Sequence, residues 1–387
     1  MLNYVALCAV GAEKILGNEL KLLGCRLNGN APGRVFFSGD EDALYLTNLW
    51  LRTCDRVYIQ LARYSAPDFT ALFDGCYAAP WQEYLKKDVR VVVDKVRVYK
   101  SKLNSEHSIQ GMIQKAIYQK LGDTWHITTL PETGERCDIR VYIDQDQAMI
   151  LLDTSGDALH KRGYRTEGGI APLRETTAAV LLQEMLWKRK MPLHDPFCGS
   201  GTIAIEATLY ARNIAPGLGR HFAYEHLAIY NQNRAVELKK EAASKIRPDV
   251  ECRITGSDID PAAVERARLN AEHACVTAGR ALQMIGSDAK ILRPDFIASD
   301  FRELKAPYPE GMLISNPPYG ERLGDEKAAQ ELYQDMGNLF NDFAGWQMGF
   351  ITNQEIFQDS IGRRADKIKS IKAGNLDTIF YMYKGNQ

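Results

Sequence analysis

Short apolar runs alternate with longer amphipathic runs in the carboxyl-terminal half of the chain. Apolar runs of about four to eight residues are typical of buried strands, and apolar positions that recur every three to four residues are typical of helices. The alternation reads LHDPF, TIAIEATLYA, ECRITGSDID, PAAVERARLNAEHA, FIASDF, GMLISNPPYG, KAAQELYQDMGNLFNDFA and QMGFITN. This order predicts an α/β fold with a parallel, doubly wound sheet, which binds ligands at the carboxyl ends of its strands.

The pattern of residues 1–155 instead predicts two small α+β units. Residues 1–65 contain the strand YVALCAV, the helix EKILGNELKLLG, the strand GRVFFSG and a long helical run from Glu41 to Ala62. Residues 66–155 contain the strand DVRVVVDKVRV, the helix HSIQGMIQKAIYQKLG and two strands within CDIRVYIDQDQAMILLD. The polar connector LHKRGYRTEGGIAP follows, and we expect the main domain boundary there, before the helix LRETTAAVLLQEMLWKRK.

Composition narrows the class of protein. A chain of 387 residues exceeds what one core usually supports, so two or more domains are expected. The absence of an apolar run of about 18 residues argues against a membrane protein, and the opening MLNYVALCAVGA lacks the basic residues of a signal peptide, so we expect a strand there. Eight scattered cysteines without a C-x-x-C pair favour reduced thiols in a cytoplasmic protein. The histidines form no cluster in the sequence, so we expect no metal site.

The segment DPFCGSGTIAIEA joins a strand to a helix through a glycine turn. Gly199 and Gly201 leave room for a ligand against the turn, and the helix amino terminus favours negative charge. A dinucleotide site also fits Gly199, Gly201 and Ala204, but its acidic partner should follow about 20 residues later, whereas Asp258 lies much farther on. No G-K-[ST] follows the glycines, which excludes a phosphate loop.

Three aspartates each end a predicted strand: Asp195, Asp258 in GSDID and Asp300 in ASDF. Any one of them could simply cap the next helix, but three together place carboxylates on one edge of the sheet. A cofactor with an ammonium, a ribose diol, an adenine amine and a sulfonium cation suits such an edge. The sequence therefore predicts S-adenosylmethionine as the cofactor.

The stretch LISNPPYGERLG places an asparagine directly after a strand. The carboxamide oxygen of Asn316 and the backbone carbonyl of Pro317 could both accept N–H groups of a nucleobase amine, which would expose the nitrogen lone pair to a methyl group. Pro318 completes the stiff turn, and Tyr319 offers a face on which the base could stack. Alone, NPPY could be a plain strand end; after three aspartate-ended strands, amine methylation is the better interpretation.

The motifs DPFCGSGTIAIEA, GSDID and SNPPYGERLG together resemble the S-adenosylmethionine-dependent methyltransferases that modify base amines. The start YVALCAVGAEKILGNELKLLG, the connector LHKRGYR and the insertion RNIAPGLGRHFAYEH are similar to THUMP-domain RNA methyltransferases, in the bacterial branch related to the ribosomal RNA guanine-N2 enzymes. The resemblance covers nearly the whole chain. It implies a ferredoxin-like domain at residues 1–65, a THUMP RNA-binding domain at 66–155 and a Rossmann-like methyltransferase domain at 165–387.

The same resemblance implies roles for individual residues. Asp195, Gly199 and Gly201 would hold the methionine part of the cofactor, Asp258 the ribose and Asp300 the adenine amine. The family spacing also allows Asp288 in LQMIGSDA for the adenine, but the strand-like FIASDF before Asp300 favours Asp300, with Asp288 on an inserted helix. The neighbouring cofactor-binding residues would be Phe197, Thr202, Ile259 and Phe301.

Local positive charge indicates where RNA could bind. Residues 95 to 120 contain six Lys or Arg residues and a single acid, Glu106, which gives a net charge of +5 when histidine is counted as neutral. Lysines on a helix are often only solvated, whereas VRVYKSKL interleaves Lys100 and Lys102 with Tyr99, which favours RNA contact. The connector adds candidates, so the full expected set is Lys100, Lys102, Lys161, Arg162 and Arg165.

Three functions fit these patterns. The first is an RNA methyltransferase acting on guanine N2, with ribosomal RNA as the expected substrate. The second is an N6-adenine DNA methyltransferase, because NPPY alone does not distinguish one base amine from another. The third is a non-catalytic RNA-binding or assembly factor that keeps the cofactor fold; Asn316 and the three aspartates argue against it.

Overall fold

The computed structural model describes residues 1–165, 173–318, 326–373 and 376–385. It contains two seven-stranded sheets, one in each half of the chain. The first sheet has the order β2-β3-β1-β4-β7-β6-β5. Its strands are β1 Leu2–Leu7, β2 Arg26–Ala31, β3 Arg34–Gly39, β4 Arg56–Ser65, β5 Arg90–Tyr99, β6 Arg136–Asp144 and β7 Gln147–Asp153. Its helices are α1 Glu13–Leu22, α2 Ala43–Trp50, α3 Phe69–Tyr77, α4 Trp81–Tyr84 and α5 Glu106–Trp125.

The strand β4 connects the two predicted amino-terminal units. It pairs with β1 on one side and with β7 on the other, antiparallel in both cases. The units therefore share one continuous sheet, although their sequence patterns suggest two separate ones. The strand predicted at the start of the chain is confirmed as β1.

The predicted helical run from Glu41 to Ala62 is wrong in its second half. The helix α2 ends at Trp50, and β4 begins at Arg56. Val57 and Tyr58 are both buried, in different apolar clusters. A strand that is covered on both faces has no alternation of polar and apolar residues, so its apolar run resembles part of a buried helix.

The second sheet has the order β10-β9-β8-β11-β12-β14-β13. Its first five strands are parallel, and β14 and β13 add an antiparallel hairpin. The strands are β8 Leu193–Asp195, β9 Ile254–Asp258, β10 Asp295–Ala298, β11 Met312–Ser315, β12 Gln347–Thr352, β13 Lys367–Ala373 and β14 Leu376–Tyr383. The helices are α6 Glu175–Glu184, α7 Thr202–Ala211, α8 Gln232–Ser244, α9 Pro261–Gln283, α10 Glu326–Met336, α11 Leu339–Asp342 and α12 Phe357–Ser360.

The strand order changes direction at β8. The chain adds β9 and β10 on one side of β8, then returns to add β11 on the other side. In open α/β sheets, the carboxyl ends of the strands at such a reversal form the ligand crevice. The predicted parallel core is therefore present, while the sequence pattern did not identify the β13–β14 hairpin.

Buried polar contacts join the two halves of the chain. Arg52, just after α2, donates from Nη2 to the backbone oxygens of Leu209 (3.4 Å) in α7 and Ile214 (2.6 Å) just after α7. The hydroxyl of Thr176 in α6 donates to Asp55 at 2.9 Å. Since these groups are removed from water only when the halves pack, the contacts fix how the amino-terminal sheet lies against the second domain. Within the described residues, no helix is both long and apolar enough to cross a membrane.

Candidate functional site

A glycine turn connects β8 to α7 at the carboxyl edge of the second sheet. Gly199 has a φ of +52°, and a Cβ built there meets nothing within 4 Å. Gly201 has a φ of +82°, and a Cβ there would lie 2.8 Å from the Phe296 ring and 3.0 Å from Ala267. The first glycine therefore leaves open space beside the turn, whereas the second allows close packing against β10 and α9.

Asp195 ends β8 and is buried at the base of this turn. Its Oδ1 accepts the backbone N–H of Phe197 at 3.2 Å and the hydroxyl of Ser315. Burial raises the pKa of Asp195 to about 7, while these two hydrogen bonds oppose the rise and the charge of Asp258 adds to it. The carboxyl group is therefore poised between its neutral and charged forms near neutral pH.

Asp258 ends β9 directly opposite the turn. Its Oδ2 accepts the N–H of Gly199 at 2.9 Å, and its Oδ1 accepts the N–H of Asp260 at 3.0 Å. Asp260 in turn caps α9 through the N–H of Ala262, and Pro261 occupies the first turn of that helix. A carboxylate oxygen accepts more than one hydrogen bond, so Asp258 keeps acceptor capacity for hydroxyl donors.

Asp300 follows β10 and caps a short 3₁₀ helix, Phe301–Glu303. The guanidinium of Arg302 donates to both of its carboxylate oxygens, at 3.2 and 2.9 Å, and also pairs with Asp335. Asp288 lies elsewhere, beside a separate surface cavity. The helix α9 runs from Pro261 to Gln283, and Asp288 lies on the segment after its end. The expectation that Asp288 lies on an inserted helix is therefore wrong.

These elements surround a cavity of about 560 Å³, a volume within the usual range for small-molecule sites. The rings of Phe197 and Phe301 lie 4.9 Å apart and form part of its apolar wall. Gly201 is not among the lining residues, in keeping with its packing role. The predicted cofactor residues that line the cavity are Asp195, Phe197, Gly199, Thr202, Asp258, Ile259, Asp300 and Phe301.

Asn316 follows β11 and also lines the cavity. Its carboxamide oxygen Oδ1 is buried and has no hydrogen-bond partner within the described residues. Pro318 lines the same cavity, and Pro317 is buried beside it. Tyr319 lies outside the described residues. The structure thus gathers the cofactor candidates and Asn316 around one space.

The sequence did not single out several lining residues. Arg302 could have been noticed, since ASDFR places it two residues after Asp300, within reach of the carboxylate. Leu173 and Leu332 come from the α6 and α10 regions, which are far away in the sequence, and no local pattern marks them. The remaining unpredicted lining residues are Pro196, Cys198, Ser200, Ile203, Asp260 and Arg266.

The predicted RNA-binding residues differ in accessibility. Lys100 and Lys102 are exposed, and the Lys100 ammonium lies 5.2 Å from the centre of the Tyr99 ring, itself 59% exposed. Lys161 is also exposed. For these three lysines, RNA contact stays a prediction.

The predicted RNA contact of Arg162 is wrong for this structure. Its side chain is buried, donates to the backbone oxygens of Leu159 and Arg52, and lies 3.5 Å from Glu206 in α7. A phosphate could not reach it without breaking these contacts. Arg165 is mostly buried as well; its Nε lies 2.8 Å from Glu175.

Comparison with known proteins identifies the fold. A family model described as the RMKL-like methyltransferase domain matches residues 162–381, more than half of the chain. The chain belongs to this RMKL-like methyltransferase family. Models of the RlmL ferredoxin-like domain and of the THUMP domain match residues 3–58 and 66–153. The resemblance and the fold class expected from the sequence are thereby confirmed.

Individual relatives of this methyltransferase cover nearly its whole length. The Bacillus subtilis strain 168 protein named "Putative RNA methyltransferase YpsC" is 36% identical over 390 residues, which cover 98% of this chain and 95% of that protein. Ribosomal RNA large subunit methyltransferase K/L of Syntrophotalea carbinolica is 34% identical and covers 97% of this chain, but this chain spans only 52% of that relative. A crystal structure of "a putative methyltransferase complexed with SAH" has a TM-score of 0.88 and 37% identity, and covers 100% of this chain and 98% of its own.

Membership in this family confirms S-adenosylmethionine as the cofactor expected from the aspartate series. The cavity fits such a molecule: Gly199 leaves open space, and the carboxylate of Asp258 has unused acceptor capacity. Within the described residues, no group of three or more His, Cys, Asp or Glu side chains could hold a metal ion.

Proposed function

We propose that this S-adenosylmethionine-dependent RNA methyltransferase methylates the exocyclic amine N2 of a guanine in structured RNA, with ribosomal RNA as the substrate. The bound cofactor supplies an electrophilic methyl group on a sulfonium cation. Held by Asp258, Asp300 and the turn at Gly199, the cofactor would supply this methyl group to the amine nitrogen and become a neutral thioether, and the proton displaced from the nitrogen would pass to water. The residues of this chain bind the cofactor, orient the amine and accept its N–H groups.

The observation that carries this proposal is the oxygen Oδ1 of Asn316, which is buried and has no hydrogen-bond partner within the described residues. A buried acceptor without a donor costs about 1–3 kcal/mol, so such a group persists where a ligand completes it. A base amine in the cavity would donate one N–H to Asn316 Oδ1, and the Pro317 carbonyl would accept the other. Both bonds favour a tetrahedral nitrogen, which is the geometry of methyl transfer.

The cofactor residues have separate proposed tasks. The two carboxylate oxygens of Asp258 would accept the ribose hydroxyls, and Asp300 would accept the adenine amine. The turn that contains Gly199 and Gly201, together with Asp195, would hold the methionine part. Phe197, Thr202, Ile259 and Phe301 would pack around the cofactor, and Tyr319 would stack on the target base.

The amino-terminal sheet is the proposed RNA-capture surface. Helical RNA hides its base edges, so a target guanine must be in a loop or bulge or be flipped out, at a cost of a few kcal/mol. The domains at residues 1–65 and 66–155 would hold the surrounding RNA through its shape and phosphates, with Lys100 and Lys102 beside the exposed Tyr99.

Mass spectrometry of nucleosides tests the proposed function. RNA from a strain that lacks the gene is treated with purified protein and isotope-labelled S-adenosylmethionine, and genomic DNA is treated in parallel. We expect labelled N2-methylguanosine in RNA and no label in DNA. Labelled methyladenine confined to DNA would instead support the adenine-specific alternative, and label in neither polymer would support a non-catalytic role.

A further inference from the structure

A second cavity lies beside the connector that joins the two halves of the protein. Its volume is about 430 Å³, and the described residues that line it are His160, Lys161, Gly163, Arg165, Arg174 and Glu175. We call it the connector pocket. Three of these lining residues are Lys or Arg, and a fourth is a histidine.

Two of these cations are only weakly engaged with protein groups. The Lys161 side chain is 62% exposed and lies 3.0 Å from Asp157, which is 74% exposed. The Arg174 side chain is 42% exposed, and its Nη1 lies 3.9 Å from Asp55. Contacts between such exposed groups contribute little to stability, so both side chains can turn toward an anion at low cost.

The one acid among the described lining residues of the connector pocket opposes anion binding weakly. Glu175 is buried and lies 2.8 Å from Nε of Arg165. Burial raises its pKa, while the nearby charge of Arg165 acts in the opposite direction. The pair keeps Arg165 in place, and Lys161 and Arg174, whose contacts with Asp157 and Asp55 are weak, supply the positive charge available to an anion.

The connector pocket shares a wall with the cavity of about 560 Å³ that the cofactor candidates and Asn316 line, which we call the methyl-transfer cavity. Arg165 Nη2 donates to the hydroxyl of Thr202 at 2.9 Å and to the backbone oxygen of Leu173 at 2.6 Å. Thr202 and Leu173 both line the methyl-transfer cavity, whereas Arg174, the next residue, lines the connector pocket. Consecutive Cα atoms are about 3.8 Å apart, so the two cavities are lined by neighbouring residues of the chain and lie close together.

We propose that the connector pocket binds a backbone phosphate of the RNA next to the nucleotide that enters the methyl-transfer cavity. This inference rests on the proposed RNA substrate. A nucleotide in the cavity carries a phosphate on each side of its sugar, and a positively charged space one residue away from the cavity wall is placed to take one of them. Arg174 and Lys161 bind the phosphate oxygens, and Arg165 fixes the wall.

The test compares single substitutions in the full-length protein. Arg174→Ala and Lys161→Ala should each weaken affinity for unmethylated ribosomal RNA by about tenfold and lower the salt dependence of binding by roughly 0.7 in log–log slope, the value for one phosphate contact on a single strand. Arg174→Lys should retain most of the affinity. Affinity for S-adenosylmethionine should be unchanged in all three variants.

Arg280→Ala is the matched control for loss of a cation. Arg280 is exposed near the end of α9, about 28 Å along that helix from Pro261, which directly follows the cavity-lining residue Asp260. We expect this variant to bind RNA like the wild type. An equal loss of affinity in Arg280→Ala and Arg174→Ala would mean only diffuse attraction, and the proposal would be wrong.

A neutral phosphate substitute tests the contact directly. Once the methylated nucleotide is mapped, RNAs that carry a single methylphosphonate linkage on either side of it are compared with unmodified RNA. At one of the two positions, the neutral linkage should weaken wild-type binding about tenfold but have little further effect on Arg174→Ala. Independent, additive losses at both positions would overturn the proposal. If wild-type protein methylates no RNA, the proposed function fails first, and the two failures are thereby distinguished.

Discussion

Ser315 donates a hydrogen bond from its hydroxyl to Oδ1 of Asp195, 120 residues earlier in the chain. Both side chains are buried, with exposed fractions of 0% and 1%. Asp195 precedes the glycine turn beside the methyl-transfer cavity, and Ser315 directly precedes Asn316. The bond therefore connects the turn proposed to hold the methyl donor with the residue proposed to orient the methyl acceptor.

Replacement of Asp195 by asparagine should change how stability depends on pH. Burial raises the pKa of the carboxyl group to about 7 in the folded protein, whereas the pKa of an aspartate in the unfolded chain is about 3.9. Between these values the folded protein holds a proton that the unfolded chain has lost, so the free energy of unfolding falls as pH rises through this window and levels off above it. The carboxamide introduced by Asp195→Asn stays neutral, and its oxygen can still accept from Ser315.

We expect cofactor-free Asp195→Asn to be more stable than the wild type at pH 8, by roughly 1–4 kcal/mol, and to differ from it by no more than about 1 kcal/mol at pH 4.5. Thermal unfolding at a series of pH values measures the difference. Asp249→Asn, on the segment before β9, serves as the control for loss of a carboxylate. Parallel curves for wild type and Asp195→Asn over this range would show that the buried carboxyl is not protonated.

Asn316→Ala should separate catalysis from stability. Loss of an oriented polar contact that is strongest in the transition state should lower kcat roughly a hundredfold, with RNA and cofactor affinities nearly unchanged. The same substitution removes a buried acceptor that has no partner within the described residues, so thermal stability should stay equal or rise. Single-turnover methylation and thermal unfolding provide the two measurements.

Asn338→Ala is a suitable control for the asparagine variant. Asn338 is exposed at the start of α11, and its side chain makes no capping hydrogen bond. We expect wild-type kcat and stability. A large fall in the stability of Asn316→Ala would indicate a structural role for that oxygen and would remove the main support for the proposed function.

Local sequence was sufficient for the parallel core of the second domain. Each of Asp195, Asp258 and Asp300 ends a predicted strand, and parallel strands bring their carboxyl ends to one edge. Asn316 follows from the same rule. The alternation of short strands and helices in the sequence predicts parallel strands, and parallel strands bring these residues together. The sequence was therefore enough to predict the site.

Long-range burial could not be predicted in the same way. Arg162 sits in a polar, glycine-bearing connector, and nothing nearby in the sequence indicates that it is buried against Glu206 and the Arg52 backbone. The strand β4 was misassigned for a related reason, since its two covered faces are supplied by residues far away along the chain. In both cases, contacts between residues far apart in the sequence bury the segment.

Asp300→Ala should weaken binding of S-adenosylmethionine by about 1–3 kcal/mol, while Asp288→Ala should leave it unchanged. Asp300 lines the methyl-transfer cavity, whereas Asp288 lines a different one. Isothermal titration with the cofactor measures both. Because Asp300 also pairs with Arg302, Asp335→Ala is the matched control: it removes the other acidic partner of Arg302 without removing a cavity-lining residue. The adenine assignment fails if Asp288→Ala shows the larger loss.

Glu206→Leu tests the corrected role of Arg162. The carboxylate lies 3.5 Å from the buried Arg162 guanidinium and accepts the hydroxyl of Tyr164 at 3.3 Å. Its removal leaves a buried charge uncompensated, so we expect a loss of about 3–5 kcal/mol in stability, measured by denaturant unfolding. Glu331→Leu, which removes the exposed pair with Lys327, should cost less than about 1 kcal/mol.

RNA binding by the Glu206→Leu variant distinguishes a structural Arg162 from an RNA-binding one. Under conditions where the variant is folded, a structural arginine predicts unchanged RNA affinity and an unchanged salt slope, because the guanidinium remains buried between Leu159 and Arg52. An RNA-binding arginine that is released from its carboxylate would instead bind RNA more tightly and with a steeper salt dependence. Tighter, more salt-sensitive binding would therefore restore the original prediction for Arg162.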